Sequence, residues 1–183
     1  MSFVKLVEKF WSMREGRYGW LGGRYRDVVI VDRVNQSVRY LLHGKNIATW
    51  YYSDNKLEVY DHYYLTQTTY SRLNAILKRV GFSAFRKYEG FICDEKRKLY
   101  YMMSAYGLLI DLGTRNVTIL GIEPAVYLDE ESFKIAEHLH RTLRRYGVSF
   151  RGICSGDIGI DLSNRRLRTV SYTHLTLPTN REV

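Results

Sequence analysis

Apolar residues at Phe3, Leu6, Val7, Phe10 and Trp11 recur at helical spacing, and Ser2 stands where an N-cap belongs. The chain therefore opens on a predicted helix over about 3–14, which Gly16 stops. The period then changes to that of strands. DVVIVD (27–32), VRYLLHG (38–44), NIATWYY (46–52) and LEVYD (57–61) are short, β-branched and aromatic, and the polar turns RVNQS and SDN punctuate them, which predicts an antiparallel meander. A second helix is predicted over about 68–80. Leu73, Ile76, Leu77 and Val80 make its apolar stripe, Thr66 or Thr68 caps it, Lys78 and Arg79 suit the carboxyl end of the dipole, and Gly81 ends it.

The same grammar then returns. LKRVGFSAFRKYEG (77–90) is echoed by LRRYGVSFRGICSG (143–156). GFICDE (90–95), LYYMM (99–103), LLIDLG (108–113) and VTILG (117–121) retrace the first meander. DEESFKIAEHLHRTLRRYG supplies the next helix, with Asp129, Glu130 and Glu131 at its amino end and Arg144 and Arg145 at its carboxyl end. VSFRGICSGD, IGIDLS and LRTVS read as the opening strands of a third cycle, and Asp32, Asp94 and Asp161 close the corresponding strands. A period of about 60 residues exceeds the roughly 20–50 of common solenoids. The expected fold is α+β, with tandem pseudo-repeated units of a short antiparallel meander plus one helix, the third unit truncated. The divisions are 1–24 (helix and basic Gly/aromatic segment), 25–89 (first unit), 90–147 (second unit), 148–171 (partial third unit) and 172–183 (tail). SYTHLTLPTNREV (171–183) resembles a translated sequencing adaptor and is read as non-native, the competing reading being a carboxyl-terminal strand.

Charge adds a functional lean. The chain carries 28 Lys+Arg against 19 Asp+Glu, a net +9, and the excess is concentrated before residue 80. There Arg14, Arg17, Arg24 and Arg26 interleave with Tyr18, Trp20 and Tyr25 among glycines, the composition of a surface that contacts phosphates and stacks bases. A solvated Gly-rich loop is the plainer alternative. Sixteen tyrosines exceed what a core of this size needs, and Tyr anchors nucleic-acid and protein interfaces alike.

Chemistry is harder to find. Cys93 and Cys154 lie in strand-like stretches with no His or Cys partner at ligand spacing, so both are expected as buried thiols, with no metal and no cofactor. HRT (140–142) and HLT (174–176) imitate the paired His-x-Thr motifs of two-histidine phosphoesterases, but His140 falls within a patterned helix and His174 within the adaptor-like tail. His138 and His140, two apart on a helix, do not share a face. No phosphate-cradling Gly loop, Gly-x-Ser-x-Gly elbow or nuclease-type carboxylate cluster is present, so catalysis is not expected. With no apolar run near the ~20 residues of a membrane span, the expected location is a cytoplasm, that of the host if the protein is viral.

LLHGKNIATW and TQTTYSRLNAILKRVG, in that order, carry a His-Gly-x-x-Ile-Ala strand and a Thr-Thr-x-x-Arg-Leu-Asn-Ala helix start. Over about residues 25–103 the chain resembles an uncharacterised domain family of tailed bacteriophages and related mobile elements, through His43, Gly44, Ile47, Ala48, Thr68, Thr69, Arg72, Leu73, Asn74 and Ala75. The resemblance implies origin and no particular reaction. Structural roles are expected for these residues: a positive-φ turn at Gly44, Thr68 and Thr69 capping or entering the helix, and hydrogen bonds from Arg72 and Asn74 to the preceding loop. The expected function is a phage accessory protein that binds DNA or RNA with little sequence readout. The alternative is a counter-defence protein that inhibits a host nuclease such as a CRISPR effector. A homodimer through 148–171 is also expected, because an unfinished meander leaves an open edge.

Overall fold

The computed structural model describes residues 2–12, 26–62, 64–121 and 123–155 with their side chains, and the backbones of 17–19, 158–161 and 166–169. Residues 1–130 form one compact unit and 131–183 a second.

Helix α1 (Phe3–Ser12) buries Leu6, Val7 and Phe10, with Phe3 and Trp11 partly covered, as its spacing requires. Strands β1 (Arg17–Gly19), β2 (Asp27–Asp32), β3 (Ser37–Leu42), β4 (Lys45–Tyr51) and β5 (Lys56–Val59) pair antiparallel in chain order. Helix α2 (Gln67–Leu77) comes next, then a 3-10 turn at Lys78–Val80 that ends on Gly81 with φ +75. The N-cap is Thr66, whose hydroxyl accepts the Thr69 N–H at 3.2 Å. Beyond Gly81 run β6 (Phe82–Lys87), β7 (Glu89–Asp94), β8 (Leu99–Met102), β9 (Leu108–Asp111), β10 (Val117–Ile119), β11 (Glu123–Pro124) and β12 (Tyr127–Asp129).

The α+β class holds, but the second set of strands is distributed differently from the first. β2 to β5 lie side by side, whereas β7 and β8 belong to a sheet ordered β12-β8-β7-β6, and β9 and β10 extend the first sheet, ordered β1-β2-β3-β4-β5-β9-β10-β11. The repeat is therefore one of hairpins. Turns 33–36, 52–55, 95–98 and 112–115 each finish on a left-handed residue, Gln36, Asn55, Lys98 and Arg115, before the next strand starts. Asp32, Asp94 and Asp111 accept backbone N–H groups within three of these turns, which gives the recurring Asp its local role. What differs is long-range: Leu57 of β5 pairs with Ile110 of β9, so the second copy's later strands complete the first copy's sheet.

One apolar core joins both sheets and both helices of this unit. Val38, Tyr40, Ala48, Leu57, Val59, Leu108 and Ile110 from the long sheet meet Leu6 and Phe10 of α1, Leu73, Ile76 and Leu77 of α2, and Ala84, Ile92 and Tyr101 of the short sheet. Two buried carboxylates stitch this core. Arg72 binds Asp27 with two bonds, 3.1 and 3.2 Å, while Tyr40 Oη donates to the same carboxylate and the guanidinium lies 4.1 Å from the Phe3 ring centre. Arg115 repeats the device on Asp94 at 3.0 and 2.6 Å, lies over Phe82, and donates to the carbonyls of Val80 and Gly81 where α2 ends. Burial pushes the Asp94 carboxyl up, but the Arg115 guanidinium and the N–H groups of Arg97 and Lys96 outweigh it and hold Asp94 below the usual carboxylate range.

In the second unit, helix α3 (Glu130–Leu143) ends in a 3-10 turn at Arg144–Tyr146 and a left-handed Gly147, as α2 does. The likeness stops there. Residues 148–157, expected as a strand, contain helix α4 (Phe150–Cys154), and Cys154 is helical. Ser149 decides this by accepting the Gly152 N–H at 3.1 Å as an N-cap, whereas its counterpart Ser83 lies in β6, which has β7 to pair with. Phe133 and His140 of α3 pack edge-on against Phe150. Strands β13 (Ile158–Asp161) and β14 (Arg166–Thr169) pair with each other. The tail 171–183, His174 included, lies outside the described residues.

Candidate functional site

His43 and Gly44 form the two-residue turn between β3 and β4. Both have positive φ, +51 and +78, the geometry that matches the twist of a tight hairpin and that glycine adopts without strain. The expected left-handed turn at Gly44 is therefore seen. The His43 N–H donates to the Arg26 carbonyl at 2.6 Å, which brings the end of the basic segment to this turn. Just beyond, the β3–β4 register shifts between Tyr40 and Leu41, and this bulge turns Ile47 inward beside Ala48, both buried.

These features surround a cavity of about 430 Å³. Leu42 and Ile47 give it an apolar floor, His43, Lys45 and Tyr64 line one side, and Thr66, Thr68 and Thr69 the other. Lys45 Nζ donates to Tyr64 Oη at 2.9 Å and sits 4.7 Å from that ring's centre. Among the described residues no carboxylate lines the space. The signature residues thus divide into two groups. His43, Thr68 and Thr69 converge on the cavity, and Gly44 makes the turn beside it. Arg72 and Asn74 point elsewhere: the expected bonds to the preceding loop are replaced by Arg72 to Asp27 and by Asn74 Oδ1 accepting the Ala84 N–H at 3.2 Å. Two residues apart on a helix, these side chains leave on nearly opposite sides, so one reaches β2 and the other the edge strand β6.

The long sheet also has a face turned away from the core. Antiparallel partners share a face, so the register places Arg17, Ile30, Arg39, Thr49, Glu58, Leu109 and Thr118 in one row across it. Two tyrosines flank this row. Tyr51 Oη and Tyr60 Oη donate to the same Glu58 oxygen at 3.1 and 2.7 Å. Burial, then the neighbouring Glu58 carboxylate, raises both phenols, so they stay neutral donors. Tyr60 is further fixed by stacking on His62 and by Gly107, where a Cβ would stand 2.5 Å from the ring.

Of the basic segment, Arg26 is exposed beside the cavity, and the backbones of Arg17 and Tyr18 lie in β1. Arg14, Trp20, Arg24 and Tyr25 lie outside the described residues. Sequence reasoning did not pick out Lys45, Tyr64, Tyr51, Glu58 or Tyr60 as site residues. The alternation of polar with apolar positions in β4 and β5 marks Tyr51, Glu58 and Tyr60 as facing away from the core, but nothing local pairs Lys45 with Tyr64, nineteen residues on.

An α+β domain whose long sheet carries Arg39, Tyr51, Glu58 and Tyr60 on the face away from the core, with a cavity at one hairpin whose described lining residues include no carboxylate, is the class these observations define. Residues 20–106 match the family model described as Kyanoviridae Gp96 protein, so this stretch is similar to a phage protein domain, and the match contains the His-Gly turn, the cavity and α2. No curated protein and no solved structure matches the chain. No helix among the described residues is long and apolar enough to cross a membrane.

Proposed function

We propose that this is a phage accessory protein that binds single-stranded nucleic acid on the open face of its long sheet, with little sequence readout. The observation that carries the reading is the row that sets Arg39 on the strand next to Tyr51, with Tyr60 on the far side of Glu58 and the backbone position of Arg17 further along the same row. A strand laid across such a face meets cations for its phosphates and rings for its bases, each stacked base contributing about 1–3 kcal/mol. Glu58 serves as an anchor: by accepting both phenolic hydroxyls it fixes two aromatic side chains that would otherwise lose rotamer freedom on binding.

Fluorescence anisotropy with a labelled oligothymidylate tests this. Affinity should fall steeply with salt, and Arg39→Ser, at an exposed position, should weaken binding and lower the salt slope by about 0.7, the value of one phosphate contact on a single strand. Absence of salt-dependent binding would remove the proposal. Retention of a host protein from nuclease-treated lysate would then favour the counter-defence reading.

A further inference from the structure

The cavity beside the His43–Gly44 turn is not used by the sheet face, and its chemistry points to a smaller ligand. We infer that it takes a phosphomonoester carried on a nucleoside-sized body. At about 430 Å³ it falls within the roughly 300–1,000 Å³ of small-molecule sites. Its polar groups are donors in excess. Lys45 is engaged by the hydroxyl and ring of Tyr64, both neutral, so no carboxylate offsets its charge. Thr66 and Thr69 share one hydrogen bond at 3.0 Å, which consumes one of their two hydroxyl hydrogens and leaves the other to donate. Thr68 is exposed in the same wall, and its hydroxyl is engaged by no other described residue. An ammonium, two available hydroxyl hydrogens and the His43 ring, around a space with no carboxylate among its described lining residues, suit an anion with several oxygens.

The rest of the lining selects what carries the anion. Leu42 and Ile47 present an apolar floor on which a base or sugar face loses water without leaving a polar group unpaired. The walls come from three segments, the β3–β4 turn, the stretch at Tyr64 and the first turn of α2, so donors are brought to one space from separate parts of the chain, as an end group with several oxygens requires. A phosphomonoester supplies such an end, with three free oxygens and up to two negative charges. It is found on a free nucleotide and on the 5′ end of a strand. Binding here does not depend on the sheet face, which shares none of the cavity's lining residues.

Calorimetry on the full chain with AMP, adenosine and inorganic phosphate tests it, together with anisotropy using 5′-phosphorylated and 5′-hydroxyl oligothymidylate. At least one phosphorylated probe should bind about tenfold or more tighter than its unphosphorylated counterpart, and Lys45→Met should abolish that advantage while Arg39→Ser leaves it intact. An advantage for AMP identifies a free nucleotide as the source, and an advantage for the strand alone identifies a 5′ end. Should Lys45→Met lose its folded circular dichroism, Thr68→Val at the exposed wall takes its place, with a several-fold loss expected. The inference is overturned if neither phosphorylated probe has an advantage, or if the folded variant keeps it. Equal, salt-dependent binding of both oligonucleotides, with no advantage of AMP over adenosine, would remove the cavity ligand and leave the sheet-face proposal standing.

Discussion

Replacing Arg115 with Met should unfasten the joint between the two sheets. Arg115 has a left-handed backbone, φ +63, and methionine also carries a Cβ, so the substitution changes the side chain without adding backbone strain. It leaves the fully buried Asp94 carboxylate without its two-pronged partner, and breaking a buried pair in this way costs about 3–5 kcal/mol. The carbonyls of Val80 and Gly81 lose donors as well, but Arg115 is 18% exposed and water reaches part of this region, so that adds at most about 1 kcal/mol. Arg97, 42% exposed and 3.9 Å from Asp94, does not reproduce the lost geometry. A total near 4 kcal/mol is a large part of the roughly 5–15 kcal/mol that holds a typical domain. At a urea m-value of about 2 kcal/mol/M it moves the unfolding midpoint by about 2 M.

The pH dependence separates this mechanism from simple loss of packing. In the native protein the Asp94 pKa is lowered, so its contribution is present above the unfolded carboxylate value of about 3.9 and is lost as pH falls through the folded value. Without Arg115, burial dominates and the folded pKa moves up. The penalty then applies at neutral pH and fades as Asp94 takes up a proton in acid. The stability gap between the two proteins should therefore be widest near pH 7 and narrow toward pH 4, and Asp94→Asn in the Arg115→Met background should recover part of the loss. Urea titrations followed by Trp fluorescence at several pH values measure this. A gap below about 1 kcal/mol at pH 7, or one that does not change with pH, would refute the mechanism.

Gly90→Ala places a Cβ 1.7 Å from Tyr70 Oη and 2.8 Å from Asp61 Oδ2, so the buried Tyr70–Asp61 bond of 2.9 Å must break or shift; a loss of about 2–4 kcal/mol in urea unfolding is expected, and a loss under 1 would contradict the packing. Burial pushes the Cys93 thiol up to about 11, so at pH 8 it should react with a disulfide reagent far more slowly in the native than in the unfolded chain, as read by mass shift over time. Strands β13 and β14 pair with no other described strand, and a lone hairpin is marginal in water; sedimentation should show a dimer that a chain ending at Val170 retains, whereas a monomer throughout would set aside pairing through 148–171.

The helices and hairpins are written in local patterns. The spacing of Leu6, Val7 and Phe10, the Thr66 cap, the left-handed glycines 81 and 147 and the Asp-led turns all act within a few residues, so a linear reading reaches them. The repeated phrase LKRVG and LRRYG has the same meaning at both sites, a helix closing through a 3-10 turn onto glycine. Beyond each glycine the chain takes its conformation from its surroundings. Ser83 continues as strand because β7 returns beside it, and Ser149 caps α4. The division of strands between two sheets depends on β5 meeting β9, about fifty residues apart, and no local propensity specifies that pairing. The candidate sites obey the same rule. His43, Thr68 and Thr69 are visible as motifs, but their gathering with Lys45 and Tyr64 around one cavity, and the diversion of Arg72 to Asp27, exist only once the hairpin, α2 and β2 have packed, because those contacts join residues whose separation along the chain carries no signal.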